Sequence, residues 1–213
     1  MLAGDFNRRV TGGRPTFLLA TTNKGKIIEM RESLADLDCA LLAPEDLPHP
    51  LRFPPEHADT FAENALEKAR FCFAHSGFSA IADDSGILVE ALRKELGIHT
   101  RRWGAGPKAN DAAWIAYFLE RMRHEPEKNA EFVCVIAFVD GTTARTFEGR
   151  CMGVITDTLE ADYLPGLPIS ACFRPDGCDK VFSALSLEEK NRVSHRGKAM
   201  AQLREFLEQR HNV

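Results

Sequence analysis

The sequence predicts an α/β fold in which a mixed β-sheet is flanked by helices. Segments with apolar residues at helical spacing separate some of the strand-like runs, whereas two other strand-like runs follow each other directly. Those two runs occupy residues 130–155 and are joined at Asp140-Gly141, a dipeptide typical of β-hairpins. The chain has 213 residues, which suits a single domain, or two lobes that share one core.

The individual elements have their own signals. Residues 16–20 form a short apolar run, and residues 79–84 (SAIADD) form another that ends in two acids. Thr60 followed by Glu63 is the capping-box signature of a helix that continues to Gly77. Apolar residues at helical spacing predict helices over residues 24 to about 36, over residues 110–123 and after a Ser194 cap. Proline-containing segments predict loops over residues 43–56 and 157–179.

Composition and charge exclude several classes of protein. The formal net charge of -4 and a pI near 6.0 argue against a general nucleic-acid binder. No apolar run approaches the roughly 18 residues that span a membrane. Residues 1–15 lack a hydrophobic core of signal-peptide length, so we expect a flexible leader and no secretion. None of the six cysteines belongs to a Cys-x-x-Cys pair, so we expect reduced thiols and a cytoplasmic protein.

The first candidate site is TTNKGK, which begins at Thr21, where a strand gives way to a helix. This arrangement favours an anion, because backbone N–H groups and the positive end of the helix point at the ligand. The side chains of Thr21, Thr22 and Asn23 can add hydrogen bonds. Lys24 and Lys26 add positive charge. The alternative is that Asn23 only caps the helix. The spacing of a Walker loop is absent.

The second candidate site is IADDSG, in which Asp83 and Asp84 follow an apolar strand. Two adjacent carboxylates are costly to hold together unless a positive charge lies near them, and Mg²⁺ suits a site with oxygen ligands only. Strand alternation places the two side chains on opposite faces, so we expect only one of them to face the site. The alternative is a turn, for which Asp-Asp-Ser-Gly is typical.

The third candidate site is EEKNRVSHRGKA, in which His195 and Arg196 directly follow the Ser194 cap. Cations are unfavourable near the positive end of a helix, so we expect a bound anion, such as phosphate, to offset the repulsion. The alternative is a basic surface helix. Two basic helix starts and one acidic strand end together suggest a site for a nucleoside polyphosphate with Mg²⁺.

The sequence resembles the inosine triphosphate pyrophosphatases, also called non-canonical purine nucleoside triphosphate pyrophosphatases. The resemblance runs from about Thr16 to Leu207 and is carried by TTNKGKIIE, TFAENALEKAR, IADDSG with LGIHTRRWGAG, FEGRCMGVI and EEKNRVSHRGKA. It implies an elongated fold of two lobes with a central nucleotide-binding cleft, usually as a homodimer. It also implies Mg²⁺-dependent hydrolysis of a nucleoside triphosphate such as ITP, dITP or XTP to the monophosphate and pyrophosphate, by attack of water on the α-phosphorus.

The resemblance implies roles for individual residues. Asp84 would be the general base and, together with Glu56, a ligand of Mg²⁺. Glu29 would lie in the same site. The predicted substrate-binding residues are Thr21, Thr22, Asn23, Lys26, Lys68, Ser85, Ser170, Lys190, His195 and Arg196.

The sequence departs from the family pattern in the long loop, where Phe-Gly-Tyr-Asp-Pro is replaced by Leu167-Pro168-Ile169-Ser170-Ala171. The family's Phe would stack on the base and its Asp would read the base edge. Ser170 takes the place of that Asp. Its hydroxyl should discriminate between bases less than a carboxylate does, so we expect purine selectivity to change. Two alternatives stay open: a nucleotide-binding paralogue with weak or no catalysis, and a pyrophosphatase of different base specificity.

Arg101 stands where the family more often has a small residue, and it could contact phosphate, a dimer partner or solvent.

Overall fold

The computed structural model of the protein describes residues 14–92, 95–106 and 109–211. Nearly all of the predicted leader lies outside these ranges, and the side chain of Arg101 is not described. The strands are β1 (Thr16–Leu19), β2 (Ala40–Leu42), β3 (Ser79–Val89), β4 (Asn129–Val139), β5 (Ala144–Ile155) and β6 (Phe173–Pro175). The α-helices are α1 (Lys24–Ser33), α2 (Phe61–Ser76), α3 (Asp111–Met122), α4 (Leu187–Val193) and α5 (His195–His211). No helix in the described ranges is long and apolar enough to cross a membrane.

The strands form one six-stranded mixed sheet in the order β2-β1-β3-β4-β5-β6, which confirms the predicted fold class. β1 pairs in parallel with β2 and β3, and the pairs from β3 to β6 are antiparallel. The predicted hairpin joins β4 to β5. Asp140 Oδ1 accepts hydrogen bonds from the backbone N of Thr142 at 2.8 Å and of Thr143 at 2.7 Å, which is why this turn suits an aspartate.

Three local predictions need correction. The strand through Asp83 does not end at the acids but continues to Val89, because pairing with β4 outweighs the turn preference of Asp-Asp-Ser-Gly. The expected loop over residues 157–179 contains the short strand β6. α1 ends at Ser33, before the predicted end near residue 36.

The sheet buries side chains on both faces because its strands alternate. In β1, Phe17 and Leu19 pack with α1 and α5, whereas Leu18 packs with α2 on the other face. β4 continues both layers, with Ile136 on the first face and Val135 on the second. The sheet is therefore enclosed by helices on both sides.

A third apolar cluster lies at the far ends of β3 and β4. Ile87 and Val89 pack there with Ala130 and with Trp114 and Phe118 of α3. β3 therefore runs from one apolar region to another, and its polar residues 83–85 lie between them. This position, in the middle of a long central strand, places those polar residues inside the molecule.

α5 packs closely against the sheet at Gly149 of β5. A Cβ atom there would lie 2.0 Å from the carbonyl O of His195 and 2.8 Å from the backbone N of Ala199. Backbone atoms of a packed helix cannot move aside as a flexible side chain can. A side chain at position 149 would therefore push the start of α5 off the sheet.

We expect Gly149→Ala to lower the free energy of unfolding by about 1–3 kcal/mol, the usual cost of overpacking. Gly141→Ala is the matched control, because its Cβ would lie 3.6 Å from the Phe73 ring, an ordinary contact. The control should stay within about 0.5 kcal/mol of the unaltered protein. Urea denaturation measures both variants, and equal stabilities would contradict the close packing of α5 on β5.

Candidate functional site

The three candidate segments line one cavity of about 770 Å³. They reach it from the turn before α1, from the middle of β3 and from the junction of α4 with α5. All predicted site residues are among those that line it: Thr21, Thr22, Asn23, Lys26, Glu56, Lys68, Asp84, Ser85, Ser170, Lys190, His195 and Arg196. Residues 140 or more positions apart in the sequence are thus brought to one place.

The turn before α1 contains the Asn23 cap that we considered as the alternative. Asn23 Oδ1 accepts a hydrogen bond from Lys26 N at 3.1 Å, and Gly25 N donates to the carbonyl O of Pro165 at 3.1 Å. Two backbone N–H groups of the first helical turn therefore already have acceptors within the protein. Asn23 Nδ2 also donates to the carbonyl O of Gly166 at 3.0 Å, which fixes this turn to the long loop.

Asp83 and Asp84 point to opposite faces of β3, as strand alternation predicted. Asp84 lines the cavity, where Lys68 Nζ donates to Asp84 Oδ1 at 3.2 Å and to Glu56 Oε1 at 2.8 Å. Lys68 also donates to the carbonyl O of Asp83 at 2.7 Å, so the ammonium group is anchored to the strand itself. Asp84 Oδ2 is buried without a hydrogen-bond partner among the described residues.

The two acids have opposite pKa shifts. Burial raises the pKa of Asp84 more than the nearby Lys68 lowers it. Burial would also raise the pKa of Asp83, but Arg196 and Lys26 hold that pKa well below its usual value. Asp83 is therefore ionised at neutral pH, whereas Asp84 takes up a proton more readily than an ordinary aspartate.

Asp83 is the centre of a buried network of ion pairs. It is fully buried, accepts from Arg196 Nε at 2.8 Å and from Ser85 Oγ at 3.0 Å, and forms an ion pair with Lys26. Cys134 Sγ donates to Asp83 Oδ2, the oxygen that also accepts from Arg196, at 3.2 Å. The network thus joins the start of α1, the middle of β3 and the start of α5.

Glu29 extends this network to α4. Its carboxylate pairs with both Lys190 and Arg196. Burial would raise the pKa of Glu29, but these two cations lower it below its usual value of 4.5. Arg196 completes its contacts by donating from Nη2 to Ser85 Oγ at 3.1 Å.

The cations at the start of α5 are tolerated for a different reason from the bound anion that we expected. The charge of Arg196 is offset by Glu29 and Asp83. His195 carries no charge there, because burial and then the neighbouring Arg196 lower its pKa well below the usual value. The carboxylates of the protein, rather than a ligand, remove the conflict with the helix dipole.

The other end of the cavity is apolar and aromatic. Its lining includes Trp114, Phe132, Leu167, Ile169 and Phe182, and sequence reasoning missed the three aromatic residues. Trp114 lies in the helix predicted over residues 110–123, and no local signal in the sequence indicates that it lines a cavity.

His195 links the polar and apolar ends. Its ring stacks on Phe132, with centroids 4.5 Å apart, and on Phe182, at 5.8 Å. Its Nδ1 is buried without a partner among the described residues. Ser170, in the 3₁₀ helix Pro168–Ala171, donates its hydroxyl to the carbonyl O of Leu167 at 2.6 Å.

Glu56 and Asp84 are the carboxylates of the cavity that could hold a metal ion. In the described part of the chain, no group of three or more His, Cys, Asp or Glu side chains is placed to hold one. The free and buried Asp84 Oδ2 nevertheless fits a cation, and carboxylate oxygens are the ligands that Mg²⁺ prefers. Mg²⁺ is also commonly bound by only one or two carboxylates together with substrate phosphates.

The sequence and the fold are similar to those of known proteins. Residues 17–206 match the Ham1 family. A dITP/XTP pyrophosphatase of Leptospira interrogans is 39% identical over 89% of this chain and 95% of its own, and one of Thermus thermophilus is 42% identical over 88% and 89%. Among solved structures, a HAM1 protein from Coxiella burnetii superposes with a TM-score of 0.77 at 30% identity, covering 92% of this chain and 99% of its own. The Ham1 protein of Staphylococcus aureus gives 0.76 at 31% identity with the same coverage.

We expect Glu29→Gln to destabilise the protein at pH 7 by about 3 kcal/mol, because the change leaves Lys190 and Arg196 short of a buried partner. The lowered pKa of Glu29 contributes stability that is present above pH 4.5, the usual value, and is lost as the pH falls through the folded-state pKa. The difference between variant and parent should therefore shrink in acid.

Urea denaturation at intervals between pH 7 and pH 3 measures this difference. Glu208→Gln is the matched control, because Glu208 pairs with Arg204 on the surface and such a pair contributes about 0–1 kcal/mol. A Glu29→Gln deficit of the same size at both ends of the pH range would contradict the role of the ionised carboxylate.

Proposed function

The chain belongs to the Ham1 family, and from this membership we propose that it is a nucleoside triphosphate pyrophosphatase. It would hydrolyse a nucleoside triphosphate to the monophosphate and pyrophosphate, with ITP, dITP and XTP as the expected substrates. Curated relatives about 40% identical to it are dITP/XTP pyrophosphatases, which supports this choice. The observation that carries the proposal is that one cavity joins a charged end to an aromatic end.

The shape and lining of the cavity suit a nucleotide. About 770 Å³ lies within the usual range of small-molecule sites, roughly 300–1,000 Å³. The triphosphate would lie at the charged end, near Thr21, Thr22 and Lys26. The base would lie at the apolar end, beside Leu167 and Phe182. Because backbone N–H groups of the α1 turn are already engaged, side chains would supply most of the phosphate contacts.

The ion-paired charges of the polar end balance before any ligand binds. Four cations pair with four carboxylates, namely Lys26, Lys68, Lys190 and Arg196 with Glu29, Glu56, Asp83 and Asp84, and Lys24 is one further cation of the lining. A triphosphate brings several further negative charges, so its binding calls for additional positive charge. This balance favours entry of the substrate together with a divalent cation.

Glu56 and Asp84 would hold that cation, which we propose to be Mg²⁺. When bound, Mg²⁺ would neutralise phosphate oxygens and lower the pKa of a bound water. Lys68, which donates to both carboxylates, would then have phosphate oxygens as alternative acceptors.

Asp84 would act as the general base. In the protein without a bound cation, burial raises the pKa of Asp84 and brings it closer to the range in which a carboxylate can accept and release a proton at neutral pH. Water would attack the α-phosphorus, Asp84 would take its proton, and pyrophosphate would leave. Lys68 would keep the carboxylate oriented, since its ammonium is also anchored to the backbone of β3.

A substrate panel tests the proposed function. The protein with Mg²⁺ and ITP, XTP, dITP or each standard nucleoside triphosphate should release pyrophosphate from at least one of them. Folded protein that releases none would overturn the proposal. Tight binding without turnover would instead support a nucleotide-binding protein.

Light scattering tests the homodimer that the resemblance implies.

Asp84→Asn should lower kcat by about 10²–10⁴-fold, the usual contribution of general acid–base catalysis. An amide cannot accept the proton, but it keeps the size of the carboxyl group and one oxygen that can bind the cation, so we expect nucleotide affinity to change much less. Asp157→Asn is the control, because Asp157 is 83% exposed and pairs only peripherally with Lys128. Pyrophosphate release and titration calorimetry measure the two properties, and undiminished turnover would show that Asp84 is not the base.

A further inference from the structure

Trp114 carries an unexplained polar group at the apolar end of the cavity. Its side chain is 2% exposed and lines the cavity, yet its Nε1–H has no acceptor among the described residues. Trp103, the other tryptophan of the chain, donates its Nε1–H to Glu95 Oε2 at 3.2 Å. Buried tryptophans usually satisfy their N–H group in this way.

The indole N–H is a donor only, so a buried one without an acceptor destabilises the ligand-free protein. A ligand that places an acceptor against it would relieve that cost. Because Trp114 belongs to the lining of the cavity, its unpaired donor is a candidate partner for a ligand acceptor.

The position of Trp114 is fixed by its surroundings. Its ring stacks on Phe118, with centroids 5.5 Å apart and planes 14° from parallel. Asp111, three residues earlier in α3, accepts a hydrogen bond from Gly166 N at 2.6 Å, and this ties the helix to the long loop. The indole is thus held beside the loop that replaces the family's base-reading segment.

Ser170 supplies the complementary group. Because its hydroxyl hydrogen is donated to the carbonyl O of Leu167 at 2.6 Å, Ser170 Oγ can only accept from a ligand. The apolar end of the cavity therefore offers a fixed donor at Trp114 and a fixed acceptor at Ser170.

We infer that Trp114 Nε1–H reads the base in this protein, donating to a carbonyl oxygen of an oxopurine while Ser170 Oγ accepts from the neighbouring ring N–H. This inference rests on the proposed function and adds to it a specificity-determining residue outside the altered loop. A lactam edge, with an acceptor beside a donor, matches the two groups. The amino edge of adenine has the donor and the acceptor in the reverse order and matches poorly.

Trp114→Phe removes the donor and keeps an aromatic ring that can stack on Phe118. We expect kcat/KM for ITP to fall roughly 10- to 100-fold, and the preference for ITP over ATP to fall with it. Trp103→Phe is the matched control, because Trp103 belongs to the same aromatic cluster but not to the cavity lining. An unchanged ITP-to-ATP ratio in a folded Trp114→Phe protein would overturn the inference.

A second measurement keeps Trp114 in place. In the Trp103→Phe protein, Trp114 is the only tryptophan, so ¹H–¹⁵N correlation NMR gives a single indole resonance. IMP should shift this resonance downfield, as expected for a new hydrogen bond, whereas pyrophosphate, which has no base, should leave it nearly unchanged. IMP that binds by calorimetry without moving the resonance would overturn the inference.

The two proposals fail in different ways. If the unaltered protein releases pyrophosphate from ITP but the Trp114 resonance and the ITP preference do not respond, only the role of Trp114 is wrong. If the unaltered protein neither cleaves nor binds any nucleotide of the panel, the proposed function is wrong, and the inference about Trp114 is rejected with it.

Discussion

The pairing of Asp83 is the interaction on which the rest of the site depends. A fully buried carboxylate is tolerated only when it is paired, and Lys26 and Arg196 provide that pairing from α1 and α5. Arg196 also reaches Glu29, which holds Lys190 of α4. Because the loss of any partner would leave an uncompensated buried charge, these elements are held at fixed positions around the middle of β3. The cavity exists where they meet.

Neighbouring acids on one strand have separate roles because the strand alternates. Asp83 points into the ion-pair network and stays ionised, whereas Asp84 points into the cavity with one oxygen unpartnered among the described residues. Their pKa values are shifted in opposite directions by their surroundings, a pattern typical of acid–base sites. A rigid carboxylate thus positions the site, and a more readily protonated one is available for chemistry.

Local signals in the sequence were sufficient for most of the fold. The hairpin at Asp140 and the helix cap at Thr60 depend on hydrogen bonds within three residues, so the chain itself encodes them. The continuation of β3 beyond Asp84 could not be predicted in this way, because pairing with a distant strand decides it. The same limit applies to Arg196, whose partner Asp83 is 113 positions away and whose cationic character suggested a ligand instead.

The proposed reaction requires this site to direct water to the α-phosphorus of a nucleoside triphosphate. Hydrolysis of ITP in H₂¹⁸O, followed by mass spectrometry of both products, tests it most directly. The arrangement of Asp84 at the charged end of the cavity predicts that ¹⁸O enters IMP and that pyrophosphate stays unlabelled. Label in pyrophosphate, or formation of IDP and phosphate, would contradict the account.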